Sequence, residues 1–414
     1  MAVSLPDDLL LEILVRIKDE ASLFRSATAC KRWRHLVTDR SFLRRRWPEY
    51  SPSSFVGFFA QGNRHDQELD GGSLPGPEPC FVPARRSALG ARRRSLGSFV
   101  TPAHAGLLDG ASPLISRHGL VLVRLEAHDA VATGYPDKTI LQLGVCDLHA
   151  ATCVLLPPLK VSPNFYYYDC NGYAILTGVD CCSKDDESTP TVVLPSNPSS
   201  FFKVVIIGYS NDDLKYNLHT LSSDKSCWDQ RTNCFDSDVQ SYDYGSFSDA
   251  VVRNGRAHWL FDNYGEGCLQ VINLDAKTGR ISLTKLACKL NYQPTSPSCL
   301  TLGTNGVLSL LWIQKEGPRL EIWEQRREDQ GDMSSTSEWV CARTILLKRL
   351  ENENGTRDLI GLREKCGALI ITDNYPQIYT ADLETGLMEK IVCHWDSMPL
   401  EIDWPMIFVS GLTK

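Results

Sequence analysis

The sequence predicts an α plus all-β fold, with a short unit of three helices at the N-terminus followed by a β-propeller of about six blades. The helical unit is indicated by apolar residues at helical spacing, which continue to Trp47 and then stop. The propeller is indicated by a repeated unit, a turn followed by strands, that occurs five times. We divide the 414 residues into 1–50, a helical domain, 51–113, a first strand and a loop rich in Gly, Pro and Arg, and 114–414, the propeller.

The first helix is predicted to begin at Pro6. Proline suits the first turn of a helix, and Asp7 and Asp8 favour its positively polarised end. Apolar residues then recur at helical spacing, at Leu9, Leu10, Ile13, Leu14 and Ile17. We therefore expect one helix with a wide apolar face.

Two further short helices are predicted up to Trp47. Asp19 and Ser22 can cap the second helix, which carries Leu23, Phe24 and Ala27. The third carries Cys30, Trp33 and Val37. Because so short a chain buries little surface alone, part of this apolar face is expected to contact a partner or the rest of the chain.

At these residues the sequence resembles the F-box. The family pattern of Leu-Pro, a Leu/Ile helix and Cys-Lys-x-Trp-Arg is met by Leu5-Pro6, Leu9 to Ile17, and Cys30 to Arg34. The resemblance implies that residues 1–50 are a trihelical domain that docks onto the Skp adaptor of a cullin-based SCF ubiquitin ligase. The residues it assigns to the adaptor-binding site are Leu5, Pro6, Leu9, Leu10, Ile13, Leu14, Leu23, Cys30 and Trp33. The alternative is a small helical cap that folds only onto its own propeller.

Residues 51–113 are predicted to be mostly loop. The segment 54–61 is typical of a strand, and a second strand is expected near Phe81 and Val82. Arg85-Arg86 and Arg92 to Arg94 form a basic cluster. It indicates either a nuclear import signal or anion site, or a solvated loop that balances nearby acidic surface.

The repeated unit opens with a turn that contains Gly, followed by an apolar strand. The five glycines are Gly119, Gly172, Gly255, Gly306 and Gly367. Most of their separations suit propeller blades with long loops, and residues 178–200 are interpreted as a loop inserted into the longest interval. The strand at 54–61 and the C-terminal stretch Ile407 to Val409 are predicted to close a ring of about six blades. A β-sandwich is the structural alternative, although sandwiches need no internal repeat.

The second half of the unit also recurs. Asp275 to Gly279 and Asp382 to Gly386 share the pattern Asp-x-x-Thr-Gly, which predicts tight turns between paired strands. The body resembles the F-box-associated, kelch-like propellers common in plant F-box proteins, most closely at Asn254 to Leu260 and Leu274 to Gly279. A single Gly stands where kelch repeats have a pair.

Composition limits the classes of function. The net charge is -7, and residues 1–50 hold ten Lys/Arg against seven Asp/Glu, so the remainder is more acidic still. An acidic body argues against nonspecific nucleic-acid binding. No apolar run is long enough for a membrane span, and the N-terminus does not fit a signal peptide, so we expect a protein of the cytoplasm or nucleus. The 15 cysteines include no C-x-x-C pair, which argues against structural zinc.

No catalytic residue, metal ligand or cofactor site is predicted. The sequence contains neither G-x-S-x-G nor a phosphate-binding loop nor H-E-x-x-H. His258 is expected to be a hydrogen-bonded core or lining histidine rather than a general base. The loops around Tyr166 to Asp169 and Ser241 to Tyr244 suit either protein recognition or half-buried strand edges.

Two hypotheses about function follow. The first is a non-enzymatic adaptor that binds Skp, and cullin through it, with residues 5–47, while the propeller binds a target protein of unknown identity. The second is a propeller enzyme or glycan-binding protein with a structural helical cap at its N-terminus. The first accounts for both halves of the chain.

Overall fold

The computed structural model describes most of the chain. The described residues are 5–17, 19–47, 54–61, 79–84, 87, 89–108, 110–125, 140–161, 171–181, 201–210, 215–231, 245–263, 267–286, 296–303, 306–314, 319–325, 339–349, 359–365, 368–373, 377–393 and 396–413. All statements below concern these residues.

The N-terminal unit contains four helices, one more than the three predicted. They are α1 (Asp7–Val15), α2 (Glu20–Ala29), α3 (Lys31–Thr38) and α4 (Arg40–Arg46). The side chain of Asp19 accepts hydrogen bonds from the Ser22 N–H and begins α2, as predicted. Asp39 begins α4 in the same way, by accepting from the N–H groups of Ser41 and Phe42. The third and fourth helices are therefore separated by a single capping residue.

Six sheets follow, and their strand pairs are antiparallel except for one short parallel pair in the sixth sheet. Blade 1 contains β1 (Phe55–Gln61), β2 (Cys80–Pro83) and β3 (Arg94–Ser95), and the helix α5 (Pro102–Ala105) comes after it. Blade 2 contains β4 (Ser112–Arg117), β5 (Leu120–Leu125), β6 (Ile140–Asp147), β7 (Thr152–Leu155) and β8 (Leu159–Lys160). Blade 3 contains β9 (Asn171–Thr177), the helical turn α6 (Gly178–Cys181), β10 (Phe202–Ser210), β11 (Lys215–Ser222) and β12 (Asp229–Arg231).

Blades 4 to 6 repeat this arrangement. Blade 4 contains β13 (Gly245–Phe247), β14 (Val251–Arg253), β15 (Arg256–Asn263), β16 (Cys268–Asp275) and β17 (Ile281–Lys285). Blade 5 contains β18 (Ser298–Leu302), β19 (Leu308–Gln314), β20 (Arg319–Gln325) and β21 (Trp339–Leu346). Blade 6 contains β22 (Lys348–Arg349), β23 (Leu359–Lys365), β24 (Ala368–Asp373), β25 (Gln377–Ala381) and β26 (Leu387–Cys393). The chain then continues into β27 (Asp396–Glu401) and α7 (Trp404–Thr413).

The six sheets form a closed propeller, which confirms the predicted fold class. The inner strands β27, β4, β9, β14, β18 and β23 each pack against the next around the ring. The ring closes because β27 pairs with β1, so that blade 1 combines strands from both ends of the propeller sequence. Strands β1, β2 and β3 of blade 1 come from the segment 51–113, so the propeller includes part of the segment that was predicted to be a first strand and a loop.

One predicted closing strand was wrong. Residues Ile407 to Val409 lie in the helix α7, and the strand that closes the ring is β27, ten residues earlier. The helix begins where the Asp403 carboxylate accepts a hydrogen bond from the Met406 N–H. Three consecutive apolar residues suit a buried helix as well as a strand, so the apolar run could not distinguish the two.

The repeated glycines do not all occupy the same place. Gly119 and Gly255 follow residues of positive φ, His118 and Asn254, in two-residue turns that join β4 to β5 and β14 to β15. Gly172, predicted to be equivalent, instead lies within the inner strand β9. A Cβ at Gly172 would come within 3.0 Å of the Phe247 and Trp259 rings, so this glycine is needed for packing rather than for a turn. Gly367 lies outside the described residues.

Both Asp-x-x-Thr-Gly segments form the predicted turns. Asp275 accepts hydrogen bonds from the N–H groups of Lys277 and Thr278, and Asp382 accepts them from the corresponding Glu384 and Thr385. Gly279 and Gly386 both have positive φ. These turns join β16 to β17 in blade 4 and β25 to β26 in blade 6.

Candidate partner-binding surface

The first helix carries apolar side chains on both its inner and its outer side. Leu10 and Leu14 are buried against the other helices. Leu9 and Ile13 lie one turn apart on α1 and are both 51% exposed, and Leu5, two residues before the helix begins, is 48% exposed. We call these three residues the apolar stripe. It is a row of large apolar side chains that the folded chain leaves in contact with water.

Burial divides the nine residues of the predicted adaptor-binding site. Leu5, Pro6, Leu9, Ile13 and Cys30 are exposed, whereas Leu10, Leu14 and Leu23 are buried. Trp33 is half-buried and packs against the cluster that the buried leucines share. The exposed five can contact another protein directly, and the buried three hold the helices together.

Arg32 holds the start of the apolar stripe in place. Its Nε donates to Asp7 Oδ1 at 2.7 Å, and its Nη2 donates to the carbonyl of Leu5. These bonds bring Leu5 and Pro6 beside the first turn of α3, where the Trp33 N–H donates to the Cys30 sulfur. Sequence reasoning did not single out Arg32, although it stands inside the Cys-Lys-x-Trp-Arg segment.

Ion pairs connect α1 and α2 to α4. Arg45 lies 2.6 Å from Glu12, and the hydrogen bond from Arg45 lowers the pKa of this exposed carboxyl below its ordinary value. Arg46 donates to the carbonyl of Ile17 and lies 3.3 Å from Glu20. The basic residues of α4 thus serve in part to fix the first two helices, a role that the arginine run did not indicate.

The helix α7 fixes the N-terminal helices to the propeller. It packs against α2 and α3. The Phe408 ring is 1% exposed, and its centroid lies 5.7 Å from that of Phe24 and 4.8 Å from that of Trp47. The same apolar cluster continues into blade 1 through Val56 and Leu400. The helices and the propeller therefore share one core.

The centre of the propeller contains a cavity lined by inner strands of five blades. Its charged side chains include Arg117, Asp249, Arg363 and Glu401. Arg117 forms an ion pair with Asp180 at 2.8 Å, and Arg363 lies 3.7 Å from Asp249. Although burial raises the pKa of Asp180, Arg117 brings it below its ordinary value overall. Both arginines of this lining are thus engaged by carboxylates of the chain itself.

The remaining predicted features have different outcomes. His258 Nδ1 lies 2.6 Å from Asn273 Oδ1, and burial lowers the pKa of His258 to about 4, so the predicted hydrogen bond of this histidine is present. Arg92, Arg93 and Arg94 are exposed. The Arg85-Arg86 pair and the tyrosine loops at 166–169 and 241–244 lie outside the described residues, so their proposed roles remain predictions.

In the part of the chain that the structure describes, no helix has the length and apolar composition of a membrane span. Among the described residues, no three His, Cys, Asp or Glu side chains come together as a set of metal ligands.

Comparison with known proteins supports the assignment of the helices. The F-box-like family matches residues 2–47, the segment that holds the apolar stripe and its bracing residues. Residues 2–47 form an F-box-like domain. The match spans about a tenth of the chain and does not include the propeller. No curated protein matches the sequence.

Solved structures resemble the chain only distantly. A protein from Lactobacillus plantarum has a TM-score of 0.38 and 8% identity, over 83% of this chain and 99% of that one. The α-L-arabinanase of Penicillium chrysogenum, solved with arabinobiose, has a TM-score of 0.36 and 9% identity, over 71% and 82%. Sqt1 of Saccharomyces cerevisiae has a TM-score of 0.35 and 10% identity, over 85% and 94%. At this level of similarity, the activities of these proteins say nothing about this chain.

Proposed function

We propose that this chain is the target-recruiting subunit of an SCF ubiquitin ligase. The F-box-like domain binds a Skp-family adaptor, and cullin through it, while the propeller binds a target protein. The observation that carries the proposal is the apolar stripe of Leu5, Leu9 and Ile13, which lies exposed on the F-box-like domain. Catalysis belongs to the partner enzymes, and this chain acts as a non-enzymatic adaptor of the cytoplasm or nucleus.

The stripe has the chemistry of a protein interface. Apolar side chains that are exposed singly are common on protein surfaces, but two of them one helical turn apart, with a third at the start of the same helix, are typical of a docking site. Asp7 and Arg32 stand beside the row and add a polar rim. Pro6 and Cys30 extend the exposed surface at one end. The adaptor-binding site we propose is therefore Leu5, Pro6, Leu9, Ile13 and Cys30, braced from inside by Leu10, Leu14 and Leu23.

The shared core supports the second half of the proposal. Because Phe408 packs between Phe24 and Trp47, the F-box-like domain is held in one orientation on the propeller. A rigid connection of this kind keeps a bound target at a defined position relative to the ligase and raises the local concentration of its lysines.

We further propose that the propeller belongs to the kelch-like, F-box-associated propellers found in plants. The resemblance at Asn254 to Leu260 and Leu274 to Gly279 supports this assignment.

The test is binding of the full chain to a purified Skp-family adaptor, measured by calorimetry. Leu9→Asp is expected to weaken binding at least about 30-fold, because a central apolar anchor contributes about 2 kcal/mol or more. The matched control is Leu346→Asp on the propeller, since Leu346 is also 51% exposed. Circular dichroism checks that both variants fold.

Either of two results would contradict the proposal. One is a wild-type chain that does not bind the adaptor, and the other is a Leu9→Asp variant that binds as tightly as the Leu346→Asp control. The F-box-like domain would then be a structural cap, and the hypothesis of a propeller enzyme or glycan-binding protein would take precedence.

A further inference from the structure

Blade 2 contains two buried cysteines that face each other across neighbouring strands. Cys146 on β6 is directly opposite Cys153 on β7 in the antiparallel register. Their sulfur atoms lie 3.3 Å apart, and the Cys146 thiol donates a hydrogen bond to the Cys153 sulfur. Both side chains are buried in the cluster that the F-box-like domain shares with blades 1 and 2.

The register places these cysteines where a covalent bond fits. The Leu156 N–H donates to the Leu143 carbonyl in the same ladder. Because hydrogen-bonded and non-hydrogen-bonded pairs alternate along an antiparallel ladder, Cys146 and Cys153 form a non-hydrogen-bonded pair. The Cα atoms of such a pair are about 4.5 Å apart, which is within the range of about 4.4 to 6.8 Å found for disulfides. The backbone therefore needs little movement for the two sulfurs to bond.

We propose that Cys146 and Cys153 are an oxidant-sensitive dithiol that hydrogen peroxide converts to a cross-strand disulfide. The Cys153 thiolate attacks one oxygen of peroxide, forming a sulfenic acid and releasing hydroxide. The Cys146 sulfur then attacks the Cys153 sulfur, expelling water and forming the disulfide. The two thiols lose two electrons in total, and these reduce peroxide to the level of water. A thiol reductant reverses the reaction.

Electrostatics assign the two roles. The hydrogen bond from Cys146 lowers the pKa of Cys153, so Cys153 has more thiolate character. The same hydrogen bond, together with burial, raises the pKa of Cys146 above its ordinary value. Because Cys153 also lies on the edge strand β7, whereas Cys146 lies on β6 between β5 and β7, we assign Cys153 as the residue that peroxide oxidises first and Cys146 as the residue that resolves the sulfenic acid.

Access to the pair is through β7. This strand has four residues and is the last in the order of its sheet. Its residues Val154 and Leu155 are about half exposed. Short edge strands separate locally from their sheet at a low free-energy cost. Peroxide can therefore reach Cys153 without unfolding of the propeller.

The experiment treats the folded full chain with hydrogen peroxide, alkylates the remaining thiols, and digests it with trypsin. Residues 139–160 are released as one peptide that contains both cysteines and no others. We expect this peptide to lose two hydrogen atoms and to take up no alkylating reagent until a reductant is added. The exposed Cys30 and Cys341 report independently that peroxide reached the protein.

Two single variants test the order of events. In Cys146→Ser, whose hydroxyl keeps a hydrogen-bond donor beside Cys153 but cannot form a disulfide, a sulfenic acid is expected to accumulate on Cys153 and to react with dimedone. In Cys153→Ala, Cys146 is expected to stay a thiol under the same treatment. The proposal is overturned if the wild-type peptide keeps two free thiols while Cys30 or Cys341 is oxidised. It is equally overturned if the sulfenic acid is found on Cys146 rather than Cys153.

Discussion

Replacing Phe408 by alanine should separate the F-box-like domain from the propeller without unfolding the ring. The Phe408 side chain is almost completely buried and lies between the rings of Phe24 and Trp47. Truncating a buried Phe to Ala costs about 3 to 5 kcal/mol, from lost transfer free energy and the cavity left behind. The ring contacts Phe24 on α2 and Trp47 directly after α4, and α7 itself packs against α2 and α3, so most of the loss should fall on this junction.

Hydrogen exchange of the intact chain, followed by mass spectrometry, localises the effect. In Phe408→Ala, amide protection in α2 and α3 should fall, while protection in β16 and β19 stays at the wild-type level. The matched control is Phe261→Ala in blade 4, since Phe261 is also 1% exposed. It should cost a similar free energy of unfolding but reduce protection in blades 3 and 4. Unchanged protection of α2 and α3 in Phe408→Ala would refute the claim that this ring holds the two parts together.

Two further predictions concern stability. Gly386→Ala should lower the urea midpoint of unfolding more than Gly279→Ala. Both glycines have positive φ, a conformation that costs alanine about 1 to 2 kcal/mol. Only at Gly386 would the new Cβ also clash with a carbonyl of the neighbouring blade. Equal losses would contradict this. Burial lowers the pKa of His258 to about 4 in the folded protein, so its contribution to stability is fully present above pH 6.5 and is lost as pH falls toward 4. The urea midpoint should therefore fall less between pH 7.5 and 5 in His258→Gln than in the wild type, and an identical fall in both would contradict the assignment.

The sequence predicted the existence of the first three helices because their signals are local. Asp19 caps α2 and Leu10 and Leu14 face inward, as side-chain chemistry and spacing require. The fourth helix was missed because only Phe42 and Leu43 are buried in its seven residues, too few to show a period. Its capping residue, Asp39, was the signal that could have revealed it.

Spacing could not separate the exposed from the buried members of the binding site. Leu9 and Leu10 are neighbours in the sequence and both belong to the apolar face, yet only Leu10 is covered by other helices. What covers each side of α1 depends on α3, α4 and their ion pairs, which come from later in the chain. A helical pattern gives the width of an apolar face but not the identity of its neighbours.

Non-local pairing explains the other differences. Nothing near Phe55 indicates that its partner strand contains Glu401. Gly172 has the same local setting as the turn glycines but meets the Trp259 ring of the next blade. Such positions are determined by the packing of one blade on another, and this packing cannot be predicted from local sequence patterns.

The closing strand β27 and the helix α7 determine when the adaptor surface can be completed during synthesis. Domains fold from the N-terminal side as the ribosome adds residues, but here β1 lacks its inner neighbour, and α2 and α3 lack Phe408, until residues 396–413 have been made. The helices of the F-box-like domain form from contacts between residues that are close in the sequence, so they fold early. The pairing of β1 with β27 joins residues from opposite ends of the propeller sequence and comes later. A nascent chain would therefore carry an F-box-like domain that has no support until β27 and α7 have been made. A ribosome that stops before residue 396 would release a chain whose propeller cannot hold the F-box-like domain.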